Sequence, residues 1–129
     1  MMSGKPIGIF YEHPEWFKPL FAELERRNVP YEKLYIGDHY YDPAVRRCPY
    51  SVVVNRVSAF PSGGSHPEII LYAKQYLAYL ETIGANVING HFSYLVGTSK
   101  AMQADILEQL GLAYPRARVI HHPRQAAQA

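Results

Sequence analysis

A run of three β-branched valines within the stretch from Ser51 to Asn55 constrains the fold more than any other feature. A strand that is apolar on both sides is typical of a parallel sheet covered by other elements on both faces. Three further short β-prone runs, at residues 7–11, 31–36 and 86–88, are separated from it by stretches with helical periodicity or by loops. This alternation predicts an α/β three-layer sandwich with a mostly parallel sheet of about four strands, which is a Rossmann-like fold.

The expected helices begin near Lys18, near Ser65 and at Ser99, and each is followed by a residue that tolerates a left-handed turn. Those residues are Asn28, Gly84 and Gly111. Ser65 and Glu68 have the spacing of a capping box, and Thr98 or Ser99 can cap the third helix. Residues 91–98 are predicted to form a loop, and residues 116–120 a last, less regular strand.

Composition excludes several classes of protein. The net charge is +2 with acidic and basic residues interleaved, so no nucleic-acid-binding surface is expected. No apolar stretch approaches the length of a membrane span, and the N-terminus lacks a signal peptide. The single cysteine, Cys48, cannot form an internal disulfide, which fits the cytoplasm. We therefore expect a cytoplasmic protein without nucleic-acid or membrane partners.

Candidate site residues follow the predicted strands, because ligands of open α/β sheets bind outside the carboxyl ends of the strands. Asn55, Arg56 and Ser58 follow the valine run, and Asn89 follows the next strand. The guanidinium of Arg56 could hold a carboxylate or a phosphate, or it could pair with Glu12 or Asp38 and only fasten loops. Both interpretations of Arg56 remain open from the sequence.

The last third of the chain carries a resemblance to a known family. Val87-Ile88-Asn89 forms a strand that ends in Asn, Ser99-Lys100 opens a helix, and Gly111-Leu112-Ala113-Tyr114-Pro115-Arg116-Ala117 ends it. This order resembles the N-terminal, pre-ATP-grasp domain of ATP-grasp ligases of the ribosomal protein S6 glutamate ligase and glutathione synthetase-like family. Ser99 and Ala117 depart from the Asp and Thr of that family.

The resemblance implies a function as well as a fold. Residues 1–115 would be the pre-ATP-grasp-like domain, and residues 116–129 the start of a missing ATP-grasp domain or a tail. The whole enzyme would join a carboxylate to an amine using ATP and Mg²⁺, with an amino acid or peptide as acceptor. Asn55, Arg56, Ser58 and Asn89 would line the substrate cleft and Lys100 would reach the nucleotide. No catalytic residue or metal ligand is expected here, so the truncated chain alone should be inactive.

A different class of function also remains possible from the sequence. The helix over residues 69–83 is apolar on more than one stripe, which predicts a homodimer or a higher assembly. The chain could therefore be a stand-alone α/β binding or dimerisation module without catalysis. The remaining polar residues could also form an anion cradle at residues 62–65, a zinc site of His13, His39 and His91, or a Cys–His nucleophile at Cys48. Their spacing is not specific for any of these sites, and a turn before a capped helix, scattered loop histidines and a lone cysteine are the favoured interpretations.

Overall fold

The computed structural model describes residues 4–60 and 66–129, and it confirms the α/β fold. Four parallel strands form one sheet in the order β2-β1-β3-β4. They are β1 (Ile7–Tyr11), β2 (Tyr31–Tyr35), β3 (Val52–Asn55) and β4 (Val87–Ile88). Each strand lies within one residue of its predicted bounds.

Four α-helices and one short 3₁₀ turn complete the described elements. They are α1 (Lys18–Arg26), α2 (Pro67–Thr82), α3 (His91–Gly97), α4 (Lys100–Gln109) and the turn at Pro123–Gln125. The predicted capping box and anion cradle depend on residues 62–65, which lie outside the described residues. Within the described ranges, no helix has both the length and the apolar character that crossing a bilayer requires.

The sheet separates two apolar layers. Side chains of a strand alternate between its faces, so Ile9 and Tyr11 of β1 face one way and Phe10 faces the other. Phe17 and Phe21, from the segment entering α1 and from α1 itself, cover Ile9 and Tyr11. On the opposite face Phe10 and Val53 pack with residues of α2, among them Leu77. The predicted three-layer arrangement is therefore present in the chain.

Three helices end in the same way. Asn28, Gly84 and Gly111 have φ angles of 53°, 69° and 67°, and each directly follows the C-cap residue of its helix. In each case the amide of this residue and the amide of the next residue donate to carbonyls of the last turn, as Gly84 and Ala85 do to Glu81 and Leu80. This is the Schellman motif, and it confirms the predicted ends of α1, α2 and α4.

The predicted loop at residues 91–98 is wrong, because residues His91–Gly97 form α3. The segment has little intrinsic helix preference, with a serine, a valine and two aromatic residues among its members. Tyr94 is buried in the core, and its hydroxyl donates to the carbonyl of Ser58 at 2.9 Å. A tertiary contact therefore stabilises a helix that the local sequence does not favour.

The predicted strand at residues 116–120 is also wrong. This segment pairs with no strand among the described residues, and Val119 is 80% exposed. Alternating charged and apolar residues fit a strand only where a neighbouring strand accepts their backbone hydrogen bonds. The described residues supply no such neighbour to this segment.

The long connection between β2 and β3 lies over α2. Tyr72 donates to the carbonyl of His39 at 2.9 Å, and Tyr79 donates to that of Val45 at 2.6 Å. The ring of Tyr41 stacks on Tyr79 with 4.7 Å between centroids. The connection therefore covers Tyr72 and Tyr79 of α2, although Leu71 remains 59% exposed. The homodimer stays a prediction.

The chain divides into two compact units, Met1–Leu95 and Val96–Ala129. The second unit contains α4, whose first turn is capped as predicted, because Ser99 Oγ accepts from the Met102 amide at 3.2 Å. Its apolar residues are only partly covered, and Leu110 is 65% exposed. The boundary at residue 115 stays a prediction.

Candidate functional site

The strand order creates a crevice at the carboxyl edge of the sheet. After β1 the chain turns to the face that α1 covers, whereas after β3 it turns to the face that α2 covers. Since β1 and β3 are neighbours, the two connections part at this point. Such a topological switch point is where open α/β sheets bind ligands. The candidate site is therefore the crevice beyond Tyr11 and Asn55.

Asn55 and Asn89 form the floor of this crevice. Asn55 is only 3% exposed, and its side-chain amide donates to the carbonyl of Asn89 at 3.0 Å. Its side-chain oxygen accepts from the amide of Val57 at 3.0 Å. In return Asn89 donates from its side chain to the carbonyl of Asn55 at 3.3 Å. These bonds join the ends of β3 and β4 and fix the course of the chain beyond each strand.

Ser58 joins three segments at the same edge. Its amide donates to Glu12 Oε2 at 3.1 Å, which ties the segment after β3 to the end of β1. Its carbonyl accepts the hydroxyl of Tyr94, and its side-chain oxygen accepts the amide of Phe60. Burial, with Glu12 nearby, raises the pKa of Tyr94 to about 12, so the phenol stays protonated and remains a donor.

Arg56 lies at the edge of the crevice and is exposed. Its amide donates to the carbonyl of Phe10 at 2.7 Å, which fixes its backbone. Its guanidinium carbon lies 5.2 Å from the ring centroid of Phe17, a cation–π contact. No carboxylate in the described part of the chain lies within 4.0 Å of its guanidinium, so the loop-fastening pair with Glu12 or Asp38 is not formed.

The structure therefore places three of the predicted site residues, Asn55, Ser58 and Asn89, at one edge of the sheet, with Arg56 beside them. Asn55 and Asn89 are hydrogen-bonded to each other, and Ser58 belongs to a separate group with Glu12 and Tyr94. Lys100 belongs to the other compact unit, where it is exposed and donates to Gln103 Oε1 at 3.1 Å. Sequence reasoning placed Glu12 at a strand end and considered it as a partner for Arg56, but it did not foresee the bond to the Ser58 amide. The available signal was its position directly after β1, at the same edge as Ser58.

A second polar group lies under the β2–β3 connection. Tyr72 donates its single hydroxyl hydrogen to the backbone carbonyl of His39. In the 2.8 Å hydrogen bond between His39 Nδ1 and Tyr72 Oη, His39 must therefore be the donor, so the proton of the neutral ring is on Nδ1. Burial lowers the pKa of His39. The imidazole is therefore neutral near pH 7, with Nε2 as its acceptor nitrogen.

The proposed zinc site and Cys–His nucleophile receive no support. His13 stacks on Trp16 at 4.2 Å, His39 packs against Tyr76, and His91 Nδ1 lies 3.5 Å from Glu81. Among the described residues, no group of three or more metal-ligating side chains converges. Cys48 uses its backbone carbonyl to accept from Lys5 at 2.7 Å, and no histidine is hydrogen-bonded to it within the described chain.

Two comparisons with known proteins identified no match. No protein-family model matches the chain, and no curated protein matches it significantly. The fold and the crevice are therefore the observations from which function can be argued.

Proposed function

We propose that this chain is the substrate-side domain of an ATP-dependent carboxylate–amine ligase that resembles the S6 glutamate ligase and glutathione synthetase-like ATP-grasp family. The observation that carries the proposal is the crevice between β1 and β3, with an exposed arginine held at its edge. The order of a strand ending in Asn89, a Ser99-capped helix opened by Lys100, and a Gly111 turn before Pro115 supports it.

Arg56 is the residue that meets the acceptor in this proposal. Its guanidinium carbon lies 5.2 Å from the ring centroid of Phe17, and the planar guanidinium carries a fork of N–H groups. A carboxylate of an amino acid or peptide can accept two of them side by side. The Asn55–Asn89 floor and the Glu12–Ser58 bond hold the surrounding backbone, so the crevice is formed before the acceptor arrives.

Lys100 is the residue assigned to the nucleotide. It is the first residue of α4, where helix amides and the helix dipole favour a negative group. The acidic residues that follow it are already engaged: Asp105 accepts from Gln109 at 2.7 Å, and Glu108 accepts the hydroxyl of Tyr114. In the proposed ligase, the ligands of Mg²⁺ and most contacts to ATP come from elsewhere than this domain.

The acceptor site can be tested by NMR titration of the 129-residue chain with glutamate and short acidic peptides. We expect saturable shifts at Glu12, Arg56 and Ser58 that Arg56→Gln removes. Arg26→Gln is the matched control, because Arg26 is an exposed arginine that pairs with Glu23 on α1. Equal shifts in the wild type and in R56Q would remove the support for the crevice.

The nucleotide assignment has a separate test. The isolated chain should show no ATP turnover with Mg²⁺ and an amino acid acceptor, because phosphoryl transfer needs convergent cations and metal ligands. Binding of Mg-ATP should be weak, salt-sensitive and reduced in Lys100→Gln. Turnover above a buffer blank would contradict the assignment of this chain as a substrate-side domain.

A second candidate function is a stand-alone binding or dimerisation module. The observation that favours it is the exposed apolar side chains of Leu110, Leu112 and Val119 in the second unit. Sedimentation over a range of concentrations distinguishes the two, since a module that works by self-association forms dimers without any ligand.

A further inference from the structure

A basic cavity lies at the amino edge of the sheet, away from the crevice. It has a volume of about 330 Å³, and its lining includes Lys5, Arg46, Arg47, Ser51 and Asn86. Lys5, Ser51 and Asn86 precede β1, β3 and β4, whereas the crevice follows β1 and β3. The two arginines come from the β2–β3 connection. No acidic residue contributes to the lining of this cavity.

The cations of this cavity have no counterion among residues 4–60 and 66–129. Lys5 Nζ donates to the carbonyl of Cys48 at 2.7 Å, which uses one of its three donors and places the ammonium beside the arginine pair. No described carboxylate lies within ion-pair distance of Lys5, Arg46 or Arg47. Like charges gathered without a counterion repel one another, and an anion bound among them removes that cost.

Several polar groups beside the cavity already have hydrogen-bond partners other than these cations. The chain after α2 also borders the cavity, and two carbonyls of the last turn, those of Glu81 and Leu80, already accept from Gly84 at 3.0 Å and from Ala85 at 2.9 Å. The hydroxyl of Tyr50 donates to Glu32 at 3.0 Å. These hydrogen bonds are made without the two guanidinium groups.

We propose that this cavity binds a phosphate-bearing small molecule. Two planar guanidinium forks and one ammonium are the groups that recognise phosphate oxygens, and Ser51 and Asn86 add neutral polar groups to the lining. A water molecule in the liquid occupies about 30 Å³, so the cavity has room for an anion several times that size. The site is independent of the proposed ligase crevice, and its two arginines lie in the connection between β2 and β3.

The test is titration of the 129-residue chain at low salt with inorganic phosphate, pyrophosphate and glycerol phosphate, followed by NMR and calorimetry. We expect saturable shifts at Lys5, Arg46, Arg47, Ser51 and Asn86. Each charge-assisted hydrogen bond that is lost should weaken binding by about tenfold. The double variant R46Q/R47Q should therefore lose measurable binding.

The matched control is R26Q/R27Q, which removes the same two charges from α1, where both arginines pair with Glu23. It should bind the anions as the wild type does. Equal weakening in both double variants would show that net charge alone attracts the anions and would overturn the site. Absence of saturable binding for all three anions would also overturn it. The relative affinities of inorganic phosphate and glycerol phosphate show whether free or organic phosphate is preferred.

Discussion

Replacing Asn55 by alanine should destabilise the protein far more than replacing an exposed asparagine. Asn55→Ala removes the acceptor of the Val57 amide, and Val57 is only 6% exposed, so water cannot readily take its place. A buried donor left without a partner costs about 1–3 kcal/mol, and the lost bond to the Asn89 carbonyl adds about 1 kcal/mol. We expect a loss of about 2–4 kcal/mol, a large fraction of the stability of a small domain.

The assay is urea unfolding followed by circular dichroism, with Asn86→Ala as the matched control. Asn86 is exposed and makes one side-chain hydrogen bond, to the Ser51 carbonyl at 3.3 Å. The control substitution should therefore lower the free energy of unfolding by no more than about 0.5 kcal/mol. If Asn55→Ala lowers the free energy of unfolding by less than about 1 kcal/mol, or by no more than the control does, the Asn55–Asn89 floor does not hold the two strand ends together.

Asn55→Asp provides a check on the same reasoning. It keeps an acceptor for Val57 but removes the donors to Asn89 and buries a carboxylate, whose pKa should rise. A pKa above that of the unfolded chain means that stability is retained at low pH and lost as the pH rises. The variant should therefore be less stable at about pH 7 than at about pH 4 relative to the wild type. The absence of this pH dependence would show that position 55 is accessible to water.

Two further predictions concern the helix ends and the β2–β3 connection. Gly84→Ala and Gly111→Ala should each lower the free energy of unfolding by about 1–2 kcal/mol. The reason is left-handed backbone strain alone, since nothing within 4 Å meets the added methyl group. Gly4→Ala is the control and should have no effect in the same unfolding assay. Because burial lowers the pKa of His39 below its unfolded value, the unfolded chain takes up this proton first on acidification, and stability should fall as the pH drops below about 6.5. The free energy of unfolding should fall between about pH 7 and about pH 5, and the fall should be smaller in His39→Gln than in the wild type or in the exposed-histidine control His121→Gln. An equal fall in all three proteins would refute a buried neutral His39.

Much of the fold could be predicted because its signals are local. The valine run gives β3, and a left-handed residue after each of three helices gives their ends. The strand order could not be predicted in this way, because nothing near Tyr35 states that the chain crosses β1 to reach Val52. Helix α3 was missed because its anchor, the bond from Tyr94 to Ser58, spans 36 residues.

The candidate site was predictable in position but not in its internal roles. Asn55, Ser58 and Asn89 lie together because parallel strands end at one edge of the sheet, and that inference needs only the strands. That Asn55 and Asn89 bind each other, and that Glu12 reaches a backbone amide 46 residues away, depends on side-chain directions beyond the strands. The same limit applies to Arg56, whose aromatic partner Phe17 belongs to a different segment.

The β2–β3 connection has a consequence for the order in which the chain folds. The layer on the α1 side is built mainly from β1, α1 and β2, which are consecutive in the chain, so most of its contacts close short loops. The opposite layer requires Tyr72 to meet His39 and Tyr79 to meet Val45 across 33 and 34 residues. Closing longer loops costs more entropy and slows folding. Pulse-labelling hydrogen exchange should therefore find the amides of β1, α1 and β2 protected first, and those of α2 later.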